Sequence, residues 1–310
     1  MIKPWLLRLH RWLTLVFALP LAVIVATGLV LSFEPMAQIG GAAPGTLTAE
    51  RVVDLLQRHD PERKARSLAF RAYEHRLSIG GVRPDDTIDV DVRTGAELTE
   101  DGTLSNLFYY SRVLHETLML DLGWLVQAAT IAMILLMALG IAMGWPRLAN
   151  TVSGWHKGIA WNLLPILVLS PVTGLLLAWG VSFARPAFAP APSAPLSMIE
   201  AVRTVGAAHD LSGLVWIRGR GGRLLARVID RGEYRVFAVT RDGLFPTSRN
   251  WVRLLHEGNF AGHWSALMNV VTSIALVALM ATGLVIWARR RFRKRRPRPP
   301  RSAPQVATSA

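Results

Sequence analysis

Four of the eight histidines stand in matched positions beside apolar segments of the chain: His10, His156, His115 and His256. The first two each open an apolar run and are followed by a basic residue, Arg11 or Lys157. The other two lie just ahead of apolar runs, in the near-identical motifs Arg-Val-Leu-His-Glu and Arg-Leu-Leu-His-Glu. Neutral imidazole is a common ligand of iron, so pairs of these residues are candidates for holding a metal or a haem.

The composition limits which cofactors are possible. The chain has 310 residues, of which 51% are hydrophobic, and it contains no cysteine. Disulfides, iron–sulfur clusters, cysteine-ligated zinc and covalently attached c-type haem are therefore excluded. The hydrophobic residues are bunched into long runs, which is typical of a membrane protein rather than a soluble core.

The net charge of +14 is concentrated near one end. Residues 289–301 hold eight arginines, one lysine and no acidic residue, and without these nine charges the chain would carry only +5. Beside an apolar helix, such a block marks the cytoplasmic side of the membrane. We predict a disordered basic tail over residues 289–310. Nucleic-acid binding is the alternative, but no folded nucleic-acid motif accompanies the tail, so we expect no nucleic-acid partner.

Four apolar segments are long enough to cross a bilayer: residues 13–33, 122–145, 158–183 and 264–288. About 20 apolar residues are needed for a helix to span the hydrocarbon core. The first segment resembles a signal peptide, but its 21 apolar residues exceed the usual length of about 7–15. A retained helix is therefore favoured. The lysines and arginines predict that both termini are cytoplasmic.

The two long segments between these runs share one plan, an amphipathic helix followed by alternating strands. The first helix begins near Thr48, a plausible N-cap, and the second covers residues 196–209. The predicted fold is an α-helical membrane protein with four transmembrane helices, duplicated as two plus two, and two small α+β domains outside the cytoplasm. Its predicted parts are transmembrane helices at 1–33, 105–146, 154–184 and 251–288, outer domains at 34–104 and 185–250, and the tail.

The halves match in detail, which indicates an internal duplication. His10 precedes Thr27-Gly28 by 17 residues, and His156 precedes Thr173-Gly174 by the same 17. Both halves have the same membrane orientation, so we expect a two-fold axis along the membrane normal to relate them. The glycines of these segments could leave room for a porphyrin, but close helix packing is the simpler explanation for Gly28, Gly140, Gly174 and Gly283.

The predicted topology pairs one histidine from each half at each face of the membrane. His10 pairs with His156 on the cytoplasmic side, and His115 pairs with His256 on the outer side. Two haem b groups would then be stacked across the bilayer, each with two imidazole ligands. The alternative is that these histidines are ordinary interfacial residues. His263, seven residues after His256, is an alternative fourth ligand.

Charged residues beside the histidines are candidates for contacts to haem propionates: Arg11, Lys157, Arg112 and Arg253. Flanking of a membrane helix by cations explains the first two equally simply. Glu116 and Glu257 either orient the imidazoles or pair with nearby arginines. We expect His59, His75 and His209 to be solvated.

These motifs resemble the family of PepSY-associated transmembrane proteins. The resemblance covers nearly the whole chain and rests on four motifs: Leu-His-Arg-Trp from Leu9, Leu-His-Glu from Leu114, Trp-His-Lys-Gly from Trp155 and Leu-His-Glu-Gly from Leu255. The outer segments look like PepSY modules. Members of this family include haem-binding reductases of ferric siderophores in the bacterial inner membrane.

The resemblance implies a membrane ferric-chelate reductase that passes electrons outward to a periplasmic ferric chelate or siderophore. No flavin or nicotinamide motif is present, so the electrons must come from a cytoplasmic protein or a membrane quinol. No catalytic residue is assigned. The alternative is a non-enzymatic regulator in which the PepSY modules bind a peptide or a protease. A transporter is disfavoured, because the apolar segments lack the polar residues that line translocation paths.

Overall fold

The computed structural model describes residues 2–41, 43–83, 86–146, 148–184 and 196–292. The helices in these residues are α1 (Ile2–Val16), α2 (Ala18–Ser32), α3 (Glu34–Gly41), α4 (Ala49–His59), α5 (Thr103–Thr117), α6 (Gly123–Ala142), α7 (Val152–Asn162), α8 (Leu164–Ala178), α9 (Met198–Ala208), α10 (Trp251–Glu257) and α11 (Gly262–Arg291). The strands are β1 (Ser67–Arg71), β2 (Arg76–Arg83), β3 (Asp86–Asp91), β4 (Leu214–Arg220), β5 (Arg223–Asp230), β6 (Glu233–Thr240) and β7 (Gly243–Pro246).

Three helical segments of the described residues are long and apolar enough to cross a membrane: Ala18–Gly41, Gly123–Ala142 and Gly262–Arg291. Their apolar side chains surround the helix on all sides, because the surfaces that do not face the protein would face lipid. Helix α6 packs against α8, and α11 packs against α2 and α7, so helices of the two halves are interleaved.

The prediction of four transmembrane helices is wrong, because the third predicted span is not one helix. It consists of α7 and α8, which meet at a bend of 70°. Pro165 lies in the first turn of α8. Proline has no backbone N–H and its ring clashes with the carbonyl four residues earlier, so Pro165 is well placed to begin α8 but disfavours its continuity with α7. Hydropathy alone does not register this break.

The prediction of two separate outer domains is also wrong. The strands form one seven-stranded antiparallel sheet in the order β3-β2-β1-β4-β5-β6-β7. The halves join where β1 pairs with β4, with Ser67 opposite Arg218 and Ala69 opposite Trp216. An unpaired edge strand leaves free N–H and C=O groups, and joining two edges removes both sets. Alternation within a strand does not reveal which edges will meet.

Helices α4 and α9 cover one face of this sheet. The core between them includes the fully buried Leu55, Phe70, Val202 and Ile217. The predicted start of α4 is confirmed, since the Thr48 hydroxyl accepts a hydrogen bond from Arg51 N at 3.2 Å. Helix α9 begins with a capping box formed by Ser197 and Glu200.

The other face of the sheet lies toward the membrane helices. Gln38 in α3 is buried and donates to the carbonyl oxygen of Phe70 at 3.0 Å, while its own oxygen accepts from Ala72 N at 3.1 Å. Arg227 in β5 donates to Glu257 at the end of α10 at 2.8 Å. These contacts fix the sheet above the ends of α5 and α10, which carry two of the predicted ligands.

Three predicted features lie outside the described residues. They are the basic tail from residue 293 onward, the Ala/Pro-rich residues 186–195, whose composition predicts a stiff linker, and Arg147, whose charge in the short link between the second and third apolar segments predicts a cytoplasmic position. The domain boundaries given above stay predictions.

Candidate cofactor sites between the two halves

The predicted outer pair of histidines comes together in the structure. His115 lies near the end of α5 in the first half, and His256 lies in α10 in the second. Their ring centroids are 6.2 Å apart, with an interplanar angle of 47°. Both side chains are partly buried. The two imidazoles therefore face one site that neither half forms alone.

Helix α2 fixes the orientation of the His115 ring. Nδ1 lies 3.0 Å from the carbonyl oxygen of Ile24 and 3.2 Å from the Thr27 hydroxyl. The hydroxyl already donates to Val23 O at 2.7 Å, and a carbonyl only accepts, so Nδ1 must carry the proton and donate to both. In the neutral ring, Nε2 then keeps its lone pair free to bind a metal.

The second half repeats this arrangement at His256. Nδ1 lies 3.1 Å from Ser170 O and 3.1 Å from the hydroxyl of Thr173, in α8. The Thr173 hydroxyl donates to Leu169 O at 2.7 Å, so Nδ1 of His256 is again the donor. Hydrogen bonds of this kind set the tautomer of metal-binding histidines.

Glycines make room for both outer rings. A Cβ atom on Gly28 would lie 3.2 Å from Cε1 of His115, and one on Gly174 would lie 2.9 Å from Cε1 of His256. Helix packing was the simplest expectation for these glycines. The structure gives a more specific reason, because what packs closely against each glycine is an imidazole.

The predicted inner pair lines a cavity of about 990 Å³ at the other end of the helices. His10 from α1 and His156 from α7 both contribute to its wall. The remaining lining is mostly apolar or aromatic, including Met133, Met280, Trp145, Trp161 and Trp287. This volume is at the upper end of the usual range for small-molecule and cofactor pockets.

Basic residues gather around this cavity: Lys3, Arg8, Arg11, Lys157, Arg290 and Arg291. The set includes both residues that the sequence suggested as propionate partners on this side. The beginnings of α1 and α7 and the ends of α6 and α11 meet here. An apolar cavity with a cationic surround suits a flat apolar ligand with anionic groups at one edge.

The two histidines of the inner pair, His10 and His156, differ in their hydrogen-bond partners. Nδ1 of His156 lies 2.8 Å from the Thr282 hydroxyl in α11, and that hydroxyl donates to Ala278 O at 2.6 Å. Gly283 would place a Cβ atom 3.6 Å from the same ring. In the first half, α1 packs against α6, where Leu139-Gly140 takes the place of Thr282-Gly283. Leucine offers no hydrogen bond.

The outer arginines form ion pairs with carboxylates of the chain itself. Arg112 pairs with Glu34. Arg253 donates to Glu257 at 2.7 Å, and Arg227 donates to the same carboxylate at 2.8 Å. Of the two readings for Glu257, pairing with arginine is therefore the one that the structure shows. Glu116 is exposed.

The pKa of Glu257 reflects this pairing. Burial by itself would raise it, but the guanidinium groups of Arg227 and Arg253 outweigh burial and lower the pKa to about 2. Asn259 also donates to this carboxylate, at 2.7 Å. Glu257 therefore stays charged at neutral pH beside the outer histidines.

The remaining histidines lie elsewhere. His263 is exposed at the start of α11, whereas His256 faces His115, so the geometry favours His256 over the alternative ligand. The other three are partly buried rather than fully solvated. His59 Nε2 lies 3.0 Å from Gly95 O, and the ring of His209 packs against Phe237 with centroids 4.8 Å apart.

The donor chemistry of the four histidines suits haem iron, and the spacing of the outer pair suits one iron held between two imidazoles. An imidazole nitrogen lies about 2 Å from a bound metal such as zinc. Two imidazoles on opposite sides of one metal then have centroids roughly 6 Å apart, allowing about 1 Å from nitrogen to centroid. The outer centroids are 6.2 Å apart. Along α11, Asn269 lies near the outer pair, because it packs on Gly258, and Thr282 lies at the inner pair. These two residues are 13 positions apart, which corresponds to about 20 Å of helix.

The threonines that orient the rings were not predicted as site residues. In the sequence, Thr27 and Thr173 mark the repeat, whereas Thr282 corresponds to Leu139 in the first half. The available signal was the dipeptide Thr-Gly, which occurs in α2, α8 and α11 at Thr27, Thr173 and Thr282. Such a pair suits an imidazole, because the threonine hydroxyl accepts a hydrogen bond from Nδ1 and the adjacent glycine leaves space for the ring.

The comparisons with known proteins give one family. The family described as the PepSY-associated TM region matches residues 7–290, which is most of the chain. No curated protein sequence matches this chain. The match includes all four histidines and both outer segments, and the chain belongs to the family of PepSY-associated transmembrane proteins.

Proposed function

We propose that this protein is a di-haem b membrane oxidoreductase that passes electrons across the membrane and reduces a ferric chelate on the outer side. The observation that carries the proposal is the outer pair of imidazoles, with centroids 6.2 Å apart and with Nδ1 of each ring engaged by a helix of its own half. The inner cavity with its two histidines supports a second haem.

A haem b supplies reversible one-electron transfer when bound. His115 and His256 would hold the outer group, and His10 and His156 the inner one. Thr27, Thr173 and Thr282 keep the rings in the tautomer that leaves Nε2 free. The basic residues around the inner cavity, Arg11 and Lys157 among them, would neutralise propionates.

The charge distribution supports an orientation for this process. Lysine and arginine collect at the inner cavity, and the positive-inside rule assigns that end to the cytoplasm. We therefore place both termini in the cytoplasm and the seven-stranded sheet outside, in a bacterial inner membrane. A cytoplasmic reductase or a membrane quinol would supply electrons near His10 and His156. The acceptor would meet the protein beneath the sheet.

The experiment is a visible spectrum followed by a mixing measurement. The purified protein should show sharp α and β bands after dithionite reduction, as bis-imidazole haem b does. Mixed anaerobically with ferric citrate, the reduced protein should lose these bands as its electrons pass to the iron. A variant with Ala at His115 should keep an inner haem but transfer electrons much more slowly.

Two outcomes would contradict the proposal. A colourless preparation from haem-sufficient cells would favour the regulator, in which the PepSY-like part binds a peptide or a protease and the histidines are incidental. A coloured protein that no ferric chelate reoxidises would leave electron transfer intact and exclude the proposed acceptor.

A further inference from the structure

Arginines from the sheet and from α10 converge beside the outer histidine pair. We define the arginine cluster as Arg218, Arg220, Arg227 and Arg253. The first two lie at the end of β4, the third lies opposite Trp216 in β5, and the fourth is in α10. Burial and then the neighbouring Arg220, Arg227 and Arg253 lower the pKa of Arg218, as expected where cations are crowded.

Aromatic rings hold two of these guanidinium groups in place. The Arg218 guanidinium carbon lies 4.2 Å from the ring centroid of Trp216, and that of Arg227 lies 4.8 Å from the ring of Tyr234. Stacking on a ring leaves the N–H groups at the guanidinium edge available. Arg218 is therefore oriented without being neutralised.

The cluster has more positive charge than its partners can neutralise. Glu257 serves both Arg227 and Arg253. Within the described ranges, no carboxylate pairs with Arg218 or Arg220. Both of these side chains are exposed, so a ligand that reaches the sheet can contact them.

The first half exposes less positive charge on this face, where Arg71 in β1 is partly buried and donates to the Ser78 hydroxyl at 2.9 Å. Arg76 in β2 lies on the same face of the sheet but is buried and pairs with Asp89, with Glu74 also in reach. Its remaining guanidinium nitrogen donates to Glu100 O at 2.7 Å. The cationic surface is therefore a property of the second half, and duplication of the sheet does not explain it.

The cluster is close to the outer pair. Arg253 precedes His256 by three residues in α10, less than one helical turn, or about 4.5 Å of rise. An anion held between Arg218 and Arg253 would therefore lie about one turn from an iron-ligating imidazole.

We propose that the arginine cluster is the binding site for the acceptor, and that the acceptor is an anionic ferric chelate whose carboxylate or other acidic groups contact Arg218 and Arg220. This rests on the proposed function. One electron from the reduced protein converts the chelated Fe(III) to Fe(II), and the chelate gains one negative charge. Carboxylates match guanidinium groups in two-point hydrogen bonding, which favours this class over neutral or cationic chelates.

The test is binding of radiolabelled ferric citrate to the full-length protein in detergent at low salt. Arg218→Gln with Arg220→Gln should raise the Kd at least 10-fold, as loss of charge-assisted hydrogen bonds does. Arg218→Glu with Arg220→Glu should abolish binding. The matched control is Arg241→Gln, an exposed arginine in the β6–β7 turn that acts on Glu200 of α9, the helix that covers the opposite face of the sheet, and it should leave the Kd unchanged.

Three results would overturn the inference. The first is a double Gln variant that binds ferric citrate as tightly as the unmodified protein. The second is an Arg241→Gln variant whose binding is weakened as much as that of the double Gln variant. The third is a double Gln variant that loses the outer haem, which would show that the cluster holds propionates instead. If the preparation contained no haem but ferric citrate still bound through Arg218 and Arg220, the inference would stand and the proposed function would fail.

Discussion

The two halves of the molecule share one plan, but they differ in the hydrogen-bond partners of their histidine rings and in the ion pairs of their arginines. At the outer pair they agree closely: His115 and His256 each meet a backbone carbonyl, a threonine and a glycine of a helix in their own half. Duplication kept the same three kinds of partner for both rings, so under the proposed function the two histidines would act as equivalent ligands.

The halves diverge at the inner pair. His156 has Thr282 as a hydrogen-bond partner, whereas Leu139 stands at the corresponding position of α6. Orienting hydrogen bonds raise the basicity of a ligating imidazole. We therefore expect His156 to be the better positioned of the two inner ligands.

The halves also differ in the charge that they carry on the face of the sheet opposite α4 and α9. Arg76 is buried and paired in the first half, while Arg218 and Arg220 are exposed in the second. From this difference in exposure and pairing, we infer that the first half of the sheet mainly supports the structure, while the second half presents a surface suited to an anion.

Removing the Glu257 carboxylate should have the largest effect on this comparison. Glu257→Ala leaves Arg227, Arg253 and Asn259 without their shared acceptor, and it should destabilise the fold by about 2–3 kcal/mol. Glu34→Ala, which releases only Arg112, should cost about 1 kcal/mol. Thermal unfolding in detergent measures both, and equal losses would show that the halves do not differ here.

Alanine at the three glycines beside histidines should give a graded series. Gly174→Ala places a methyl group 2.9 Å from His256 and should cost about 1–3 kcal/mol. Gly28→Ala, at 3.2 Å from His115, should cost less, and Gly283→Ala, at 3.6 Å from His156, should be tolerated. Unfolding temperature and haem content together measure the series. A reversed order would show that the rings are not seated as described.

The inner asymmetry can be tested by exchanging the partner residues. Thr282→Val removes the acceptor of His156 Nδ1 while keeping the shape, and it should weaken haem retention at the inner site roughly 10-fold. Leu139→Thr supplies the missing partner to the first half and should strengthen retention. Haem loss to apomyoglobin follows both. An unchanged rate for Thr282→Val would remove the assigned role of that threonine.

The pH dependence should be the smallest effect. The pKa of Glu257 is lowered to about 2 in the folded protein from an ordinary value near 4.5. Its contribution to stability is therefore complete above about pH 4.5 and is lost as the pH falls toward 2. Unfolding temperature should be insensitive to this group between pH 5 and 8. The difference between the unmodified protein and Glu257→Gln should narrow below pH 4.5.

The pairing of the outer histidines could be predicted from the sequence better than the architecture around them. The pairing of His115 with His256 followed from apolar runs and repeated motifs, because spacing places both at the same end of the helices. The helix that begins at Thr48 was predicted for similar reasons of local chemistry. The break between α7 and α8 was missed, since hydropathy averages over Pro165.

Contacts between distant parts of the chain could not be predicted. The joining of β1 to β4 depends on which strand edges meet, and alternation within each strand carries no such information. The threonine partners and the ion pair between Arg112 and Glu34 likewise require knowing which helices are neighbours. Local sequence patterns predict the helices and strands, but which of them pack together depends on the whole fold.

The haem-to-protein ratio of the purified protein and of five single histidine variants tests whether the two halves share iron-binding sites. We expect two haems in the unmodified protein. We expect one haem in each of His10→Ala, His156→Ala, His115→Ala and His256→Ala, with His263→Ala unchanged at two. A ratio that stays the same in the His115 or His256 variant would contradict the account, because the two halves would then not share an iron between them.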